Sequence, residues 1–304
     1  MTHDISRVTV AVCTYRRPEF LAKCLASMKH QCDAAGHVLL VVDNANDPAT
    51  RAVAEQFARE YVIEERTGLS HARNRALDEV QTEWILYFDD DGIAHPDLLA
   101  NLSDAITCHP EAVAIGGWFD HILPDSTPDW VKHYYRTPLK PSPAGSFTKL
   151  AEGEYLFGGI MAFRVSALRA VGGFDPALGM SGRKVGYGED DGIQDQLRKA
   201  GYDIHYEPKM GMDHHVQQHK QTIEDRINMA RAHGYSSGYL MESRKSLFWL
   251  LRMYVRIACF TLPYDLARIV FRPNFKWQNA IVSVASKLAH AFGVYRGSNR
   301  DQRK

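Results

Sequence analysis

The chain has little with which to staple itself. Its five cysteines, Cys13, Cys24, Cys32, Cys108 and Cys259, are scattered over 304 residues and form no CxxC pair. That pattern suggests neither a cysteine zinc site nor a disulfide framework, so a reducing cytosol is the expected compartment. The chain also lacks an unbroken apolar run of the roughly 20 residues that a membrane span needs. Its most apolar stretch, Leu247 to Phe271, is interrupted by Arg252, Arg256, Pro263, Asp265 and Arg268, and the longest uncharged piece is Ile257 to Tyr264. The start, Met1-Thr2-His3-Asp4, has no basic segment with an apolar one behind it, so no secretory signal is expected. No HExxH pattern occurs, which argues against zinc hydrolase chemistry. Internal repeats and low-complexity tracts are absent as well. Net charge is zero, with 36 Lys or Arg against 36 Asp or Glu.

What remains is an ordinary soluble composition, 45% hydrophobic and 24% charged, long enough for one large α/β domain or a domain with an appendage. The zero net charge conceals a division. Met241 to Lys304 carries 12 Lys or Arg against 3 Asp or Glu, a net of +9, which leaves 24 against 33, a net of −9, for residues 1–240. Such a split suggests an acidic catalytic body over 1–240 and a basic tail over 241–304 that meets an anionic surface.

The most informative run is Trp84-Ile85-Leu86-Tyr87-Phe88-Asp89-Asp90-Asp91. Its apolar part is β-prone and short, as a buried strand should be. Its end is where an open α/β sheet places a ligand. Three adjacent carboxylates repel one another and are tolerable only in water or around a cation. Hard oxygen ligands suit Mg²⁺, Mn²⁺ or Ca²⁺.

Around this run the first hundred residues alternate strand and helix patterns. Val8 to Cys13, Val38 to Val42 and Tyr61 to Ile63 read as strands. Leu21, Cys24, Leu25 and Met28 share a helix face behind Pro18, and Ser70 is the expected N-cap of a helix running to about Val80. Pro96 opens a further helix with Leu98, Leu99 and Leu102 on one stripe. This βα order predicts a mostly parallel sheet with helices on both faces. Between Pro124 and Pro143 lie five of the 13 prolines, the mark of a functional or disordered loop.

Further motifs fall at the strand ends: Thr14-Tyr15-Arg16-Arg17, Asp43-Asn44, and Gly68 to Asn74, where a helix start with Arg73 suits a phosphate. A second acidic cluster, Glu189-Asp190-Asp191, opens a helix and follows Gly179, Gly182, Gly186 and Gly188, which predicts a general base beside a flexible lid. Acidic residues at a helix start also complement its dipole, which is the structural alternative. Met212-Asp213-His214-His215 follows an expected short strand at Ile204 to Tyr206, and both histidines are candidate metal ligands. His215 and His219 also have the spacing of a helical metal pair.

In order and spacing these motifs resemble glycosyltransferase family 2, the nucleotide-sugar-dependent enzymes of the GT-A fold, over roughly residues 7 to 240. The resemblance rests on Val10 to Pro18, Val41 to Ala45, Ala72-Arg73-Asn74, and Phe88-Asp89-Asp90-Asp91 as a DxD signature. It extends through Gly158-Gly159 to Arg164, Val171 to Asp175, and Gly188-Glu189-Asp190-Asp191 with Leu197-Arg198. It implies an α/β GT-A fold, Rossmann-like and mostly parallel, here followed by a helical amphipathic extension. Thr14, Tyr15, Arg16 and Asp43 would hold the nucleobase and ribose, with Arg73, Asp89 and Asp90 also on the nucleotide sugar. Asp91 would bind Mn²⁺ or Mg²⁺, joined by Asp89 and by His214 or His215. Asp190 would be the catalytic base, and Glu189, Asp191 and Gly159 would face the acceptor. The implied reaction is inverting transfer of a sugar, from UDP by family frequency, to a hydroxyl of a glycan or lipid-linked saccharide in polysaccharide or glycoconjugate biosynthesis. The QxxRW motif of processive members is absent, so one sugar per encounter is expected. The usual DxS step reads Asp43-Asn44-Ala45-Asn46.

In the tail, Lys245, Arg252 and Arg256 are spaced to share a helix face, and Arg268 and Arg272 repeat the theme. Aromatic and aliphatic residues cover the rest. This predicts an amphipathic helix lying on an anionic leaflet, peripheral on the cytoplasmic face. The alternative is a helical cap with snorkelling arginine stems. Particular residues argue against other functions. A nucleotidyltransferase needs a Gly-rich loop after the first strand, and Cys13 to Pro18 has no glycine. A non-catalytic sugar-nucleotide or glycan-binding protein would not need both acidic clusters. The tail's apolar content suits lipid rather than nucleic acid.

Overall fold

The computed structural model describes residues 8–135, 145–182 and 185–300. Part of the Pro-rich stretch and the centre of the expected lid lie outside them. The chain forms two compact units. One comprises Met1–Ile122, Leu139–Gly182 and Glu189–His215; the other comprises Leu123–Pro138, Arg183–Gly188 and Val216–Lys304.

The first unit is built on strands β1 (Val8–Thr14), β2 (Val38–Asp43), β3 (Glu60–Ile63), β4 (Trp84–Phe88), β5 (Gly92–Ala94), β6 (Ala114–Ile122), β7 (Thr148–Lys149), β8 (Ile160–Arg164) and β9 (Ile204–His215). Among the described residues these form one sheet in the order β3-β2-β1-β4-β8-β6-β9-β5, with β7 on β9. The β3-β2-β1-β4 side is parallel, as the βα alternation requires. Beyond β4 the sheet is mixed. β8 runs antiparallel to β4 and β6, β6 is parallel to β9, and β5 and β7 are antiparallel to β9.

Helices α1 (Pro18–Ala35), α2 (Pro48–Phe57), α3 (Leu69–Glu79), α4 (Leu98–Cys108), α6 (Val165–Ala170) and α7 (Glu189–Lys199) cover the faces. Alternate strand residues divide between the two sides, because successive side chains of a strand point opposite ways. Val8, Val10, Val12, Leu39, Val41, Trp84, Leu86 and Phe88 join the α1 and α4 residues in one core. Ala11, Leu40, Val42, Ile85 and Tyr87 join residues of α3, α6 and α7 in the other. This burial on both faces makes the strands read as continuous apolar runs. Truncating a fully buried leucine here, such as Leu25 or Leu86, is worth about 2–5 kcal/mol.

Three local expectations differ from the structure. Helix α3 starts at Leu69 with Gly68 as its cap at φ 151°, and the Ser70 hydroxyl instead donates to Leu178 O at 2.9 Å. The long-range partner outcompetes the local cap. Helix α4 begins at Leu98 rather than Pro96, after Asp97 in the left-handed region. Strand β9 does not stop at Tyr206 but runs through Pro208 to His215, so both histidines lie on a strand and not after one. The strand accommodates Pro208 and Gly211 at a register shift opposite Gly116 and Trp118. His215 therefore has no helical partner at 219, and the side chain of His219 lies outside the described residues.

The second unit contains α5 (Asp129–Lys132), α8 (Ile223–Leu240), α9 (Leu247–Arg256), α10 (Leu262–Phe271) and α11 (Trp277–Ser298). Helix α8 belongs to it although it precedes the expected boundary at residue 240. Helices α8 and α11 approach through Gly234, Gly238, Gly293 and Gly297, where any Cβ would strike a backbone carbonyl of the facing helix. A π turn at Ile257–Thr261 joins α9 to α10.

Candidate active site

The register of the parallel strands sets the site. Thr14 pairs with Asp43 across β1 and β2, and Ala11 pairs with Tyr87 across β1 and β4. Three residues further on, Thr14 and Asp90 stand level, and the Thr14 hydroxyl donates to Asp90 Oδ2 at 2.6 Å. The ends of β1, β2 and β4 thus form one polar edge.

Asp90 is buried and does not face the solvent side of that edge. Its second oxygen lies 2.7 Å from Arg17 Nη2. Burial pushes its carboxyl above the usual range, and the Arg17 charge opposes that shift. Asp91 Oδ2 is 3.0 Å from Arg17 Nη1, while Asp91 Oδ1 is 2.9 Å from His214 Nε2. His214 Nε2 is also 3.9 Å from Asp89 Oδ2. Ligand atoms of Asp89, Asp91 and His214 lie within 4.8 Å of one another. Two carboxylates and an imidazole nitrogen aimed at one point fit a divalent cation of the Mn²⁺ type. The Asp89 side chain is 30% exposed, so the cluster is open on one side. The His215 ring packs edge-on against Phe20, and its backbone N–H donates to Asp91 O at 2.9 Å. Of the two histidines, only His214 brings its ring to the cluster.

Asp43 is buried and fully engaged. Its oxygens accept from the N–H groups of Ala45 and Asp47 and from the Tyr61 hydroxyl, each at 2.8 Å. It shapes the turn after β2. Asn44 carries that turn across to the next loop, donating to Glu64 O and Arg66 O and accepting from Gly68 N–H at 2.7 Å. Tyr15 and Arg16 lie on the turn after β1, with Arg16 in the left-handed region at φ 53°. Gly182 comes close to the Tyr15 ring.

Arg73 enters from α3 and is 3% exposed. Its Nη1 donates to Glu189 Oε1 at 3.1 Å and its Nη2 to Gly158 O at 2.9 Å, with Asp89 Oδ1 3.7 Å away. The guanidinium therefore joins the two acidic clusters through the loop between them. That loop is tight. A Cβ on Gly159 would lie 2.7 Å from Asp89 Oδ2, and one on Gly158 would lie 2.5 Å from Asp190 Oδ2. Asp89 and Asp190 consequently flank the same dipeptide. Asp190 Oδ1 accepts from the Asp191 N–H at 3.0 Å in the first turn of α7. Burial and then the neighbouring Asp190 push Glu189 upward, against the Arg73 charge. Burial, with Asp190 and Asp195, pushes Asp191 up to about 7.

Two features had no assigned role in the sequence. Arg17 was part of a motif, but nothing local says that it reaches two carboxylates 73 and 74 positions away. Phe119 and Phe157 stack with centroids 3.7 Å apart, and Phe157 lies edge-on to His214 at 5.6 Å. An aromatic directly before Gly158-Gly159 was the available signal.

Residues 9–172, over half the chain, match the sequence profile of Glycosyl transferase family 2. The chain belongs to that family. The profile covers the Asp89 to Asp91 run and Gly158-Gly159, while Asp190 and His214 lie beyond it. This family 2 chain is 25% identical over 187 residues to the glucosyl-dolichyl phosphate glucuronosyltransferase of Haloferax volcanii, covering 59% of each protein. It is 30% identical over 140 residues to the succinoglycan biosynthesis protein ExoM of Rhizobium meliloti, covering 43% of this chain and 45% of that one. The chain thus spans about half the length of the curated relatives it matches. Among solved structures it resembles the mannosyltransferase PcManGT of Pyrobaculum calidifontis, determined with GDP-Man and Mn²⁺. The TM-score is 0.57 at 17% identity, over 93% of this chain and 86% of that one. The shared architecture is the GT-A fold, a large central sheet flanked by helices.

Proposed function

We propose that this family 2 chain is an inverting, metal-dependent glycosyltransferase. It moves one sugar per encounter from a nucleotide sugar, UDP-linked, to a hydroxyl of a glycan or lipid-linked saccharide in polysaccharide or glycoconjugate biosynthesis. The carrying observation is the placement of two acidic groups on either side of Gly158-Gly159. Asp89, Asp91 and His214 stand on one side and Asp190 on the other.

The division of labour follows from the charges. Asp91, Asp89 and His214 hold Mn²⁺ or Mg²⁺, which when bound offsets the negative charge that develops on the departing diphosphate. Thr14, Tyr15, Arg16 and the turn held by Asp43 form the nucleotide side, because they gather at the ends of β1 and β2 next to the acidic end of β4. Asp190 takes the proton from the acceptor hydroxyl as its oxygen bonds to the anomeric carbon. The carbon–diphosphate bond breaks on the opposite face, which inverts the centre. Arg73 keeps Glu189 and the Gly158 carbonyl in register with Asp89. The experiment is nucleoside diphosphate release from a panel of sugar nucleotides with Mn²⁺, Mg²⁺ or chelator. Metal-dependent release from one donor is expected. Release that is equal in chelator would remove the metal from the account.

The Gly158-Gly159 contact gives a sharper expectation. Gly158→Ala places a methyl 2.5 Å from Asp190 Oδ2 and so displaces the base. Turnover is expected to fall about 10²-fold with nucleotide affinity nearly unchanged. Equal turnover in wild type and variant would show that Asp190 need not sit where the structure puts it.

The reading extends to an anionic membrane surface. Among the described residues no helix is long and apolar enough to cross a membrane. Along α9, Leu247, Phe248, Leu251 and Val255 make an exposed apolar row, and Leu250, with Ile257 at the start of the π turn, is buried. Arg252 and Arg256 border the exposed row. In the π turn and α10, Phe260, Val270 and Phe271 are 71%, 75% and 80% exposed. The acidic residue of this stretch, Asp265, is buried and paired with Arg268 at 3.0 Å. An apolar row edged with arginines is the pattern of a helix lying in a leaflet's interface. The proposed location is therefore the cytoplasmic face of the membrane, beside a lipid-linked acceptor. Flotation with phosphatidylglycerol vesicles at low salt is expected to carry the wild type, and a Phe248→Asp/Val255→Asp double variant to lose most binding. No flotation of wild type would end the anchor reading.

A further inference from the structure

The geometry points to Arg17 as a built-in counter-cation that couples metal binding to nucleotide binding. It neutralises Asp90 and Asp91 in the nucleotide-free protein and, when metal and nucleotide bind together, gives up Asp91 for the diphosphate while its other nitrogen stays on Asp90. The inference rests on the nucleotide-sugar reading above.

Three consecutive carboxylates close the end of β4, and two of them have side chains only 1% and 4% exposed. Water cannot screen charges held that way, so they need a cation. The Arg17 fork supplies it, reaching Asp90 Oδ1 at 2.7 Å with one nitrogen and Asp91 Oδ2 at 3.0 Å with the other. Arg73, the other guanidinium near the run, is 3.7 Å from Asp89 and occupied by Glu189 and Gly158 O.

Asp91 is thus shared. One oxygen faces His214 at the metal cluster, and the other faces Arg17. A divalent cation on Asp91 would stand within a few ångströms of a guanidinium, and like charges at that distance oppose each other. The Arg17 side chain is 33% exposed, so one side of it can meet an incoming anion. A diphosphate is a suitable anion, because guanidinium pairs bidentately with phosphate oxygens. Once Arg17 turns to the diphosphate, Asp91 is released to the metal. Metal and nucleotide then assist each other, and by linkage the assistance is reciprocal.

The test is Mn²⁺ binding to the full chain, read from the free-Mn²⁺ electron paramagnetic resonance signal, without nucleotide and with UDP, or with GDP should UDP not bind. Wild type, Arg17→Gln and Arg17→Lys are compared, each with its thermal midpoint. Without nucleotide, Arg17→Gln is expected to bind Mn²⁺ about tenfold more tightly than wild type. The enhancement by nucleotide should shrink by a similar factor. Should the buried Asp90 leave Arg17→Gln unfolded, Arg17→Lys decides, since an ammonium lacks the planar fork that bonds both carboxylates in register, so its hold on Asp91 is weaker and severalfold tighter Mn²⁺ binding is expected. An unchanged Mn²⁺ affinity in the folded variant, or a nucleotide enhancement equal to wild type, overturns the role of Arg17. Wild type that binds no Mn²⁺ with either nucleotide overturns the underlying reading instead.

Discussion

Asp190→Asn should lower sugar transfer by about 10²–10⁴-fold, the range lost when a positioned general base is removed. Nucleotide-sugar affinity should stay within about threefold. The substitution is gentle by geometry. Asp190 Oδ1 accepts the Asp191 N–H at 3.0 Å, and the asparagine carbonyl can accept the same bond. The start of α7 is therefore preserved, and what disappears is the ability to take a proton. Glu189 is an unsuitable substitute, because it is 7% exposed and bonded to Arg73. Steady-state kinetics with calorimetry of the nucleotide separates the outcomes. Lost nucleotide affinity with unchanged turnover at saturation would move Asp190 to the donor side and remove it as base.

Asp91→Ala should act on the other half of the site. It removes the carboxylate that faces His214 at 2.9 Å and Arg17 at 3.0 Å. The gain in nucleotide affinity on adding Mn²⁺ is expected to vanish, leaving binding at the level seen with chelator. Asp90 keeps Thr14 and Arg17, so the strand ends should remain tied. A comparable thermal midpoint would check that. Normal metal-dependent binding in this variant contradicts the cluster as the metal site.

Much of this site was legible in the sequence, and the reasons are local. Five apolar residues running into Asp89, Asp90 and Asp91 describe a buried strand with a polar end, and β4 is that strand. The βα alternation predicts the parallel side of the sheet, and Leu21, Cys24, Leu25 and Met28 are buried on α1 as their spacing requires. What was not legible depends on partners far away in the chain. The antiparallel course of β8 between β4 and β6 comes from connections that no local pattern encodes. Asp43 reads as a ligand-facing residue, and no local pattern tells that its oxygens also accept from Ala45, Asp47 and Tyr61. Arg73 reads as a phosphate group's partner, and no local pattern tells that its fork also bonds Glu189 and Gly158. Neither the 116-residue separation of Arg73 from Glu189 nor the 74-residue separation of Arg17 from Asp91 leaves a periodic trace.

The most direct test of the account is anomalous scattering at the manganese edge from crystals grown with Mn²⁺ and a nucleoside diphosphate. The account predicts one strong peak within coordination distance of Asp91 and His214, with the diphosphate on its open side and Asp190 across Gly158-Gly159. A nucleotide bound at the ends of β1 and β2 with no manganese at Asp91 would contradict it.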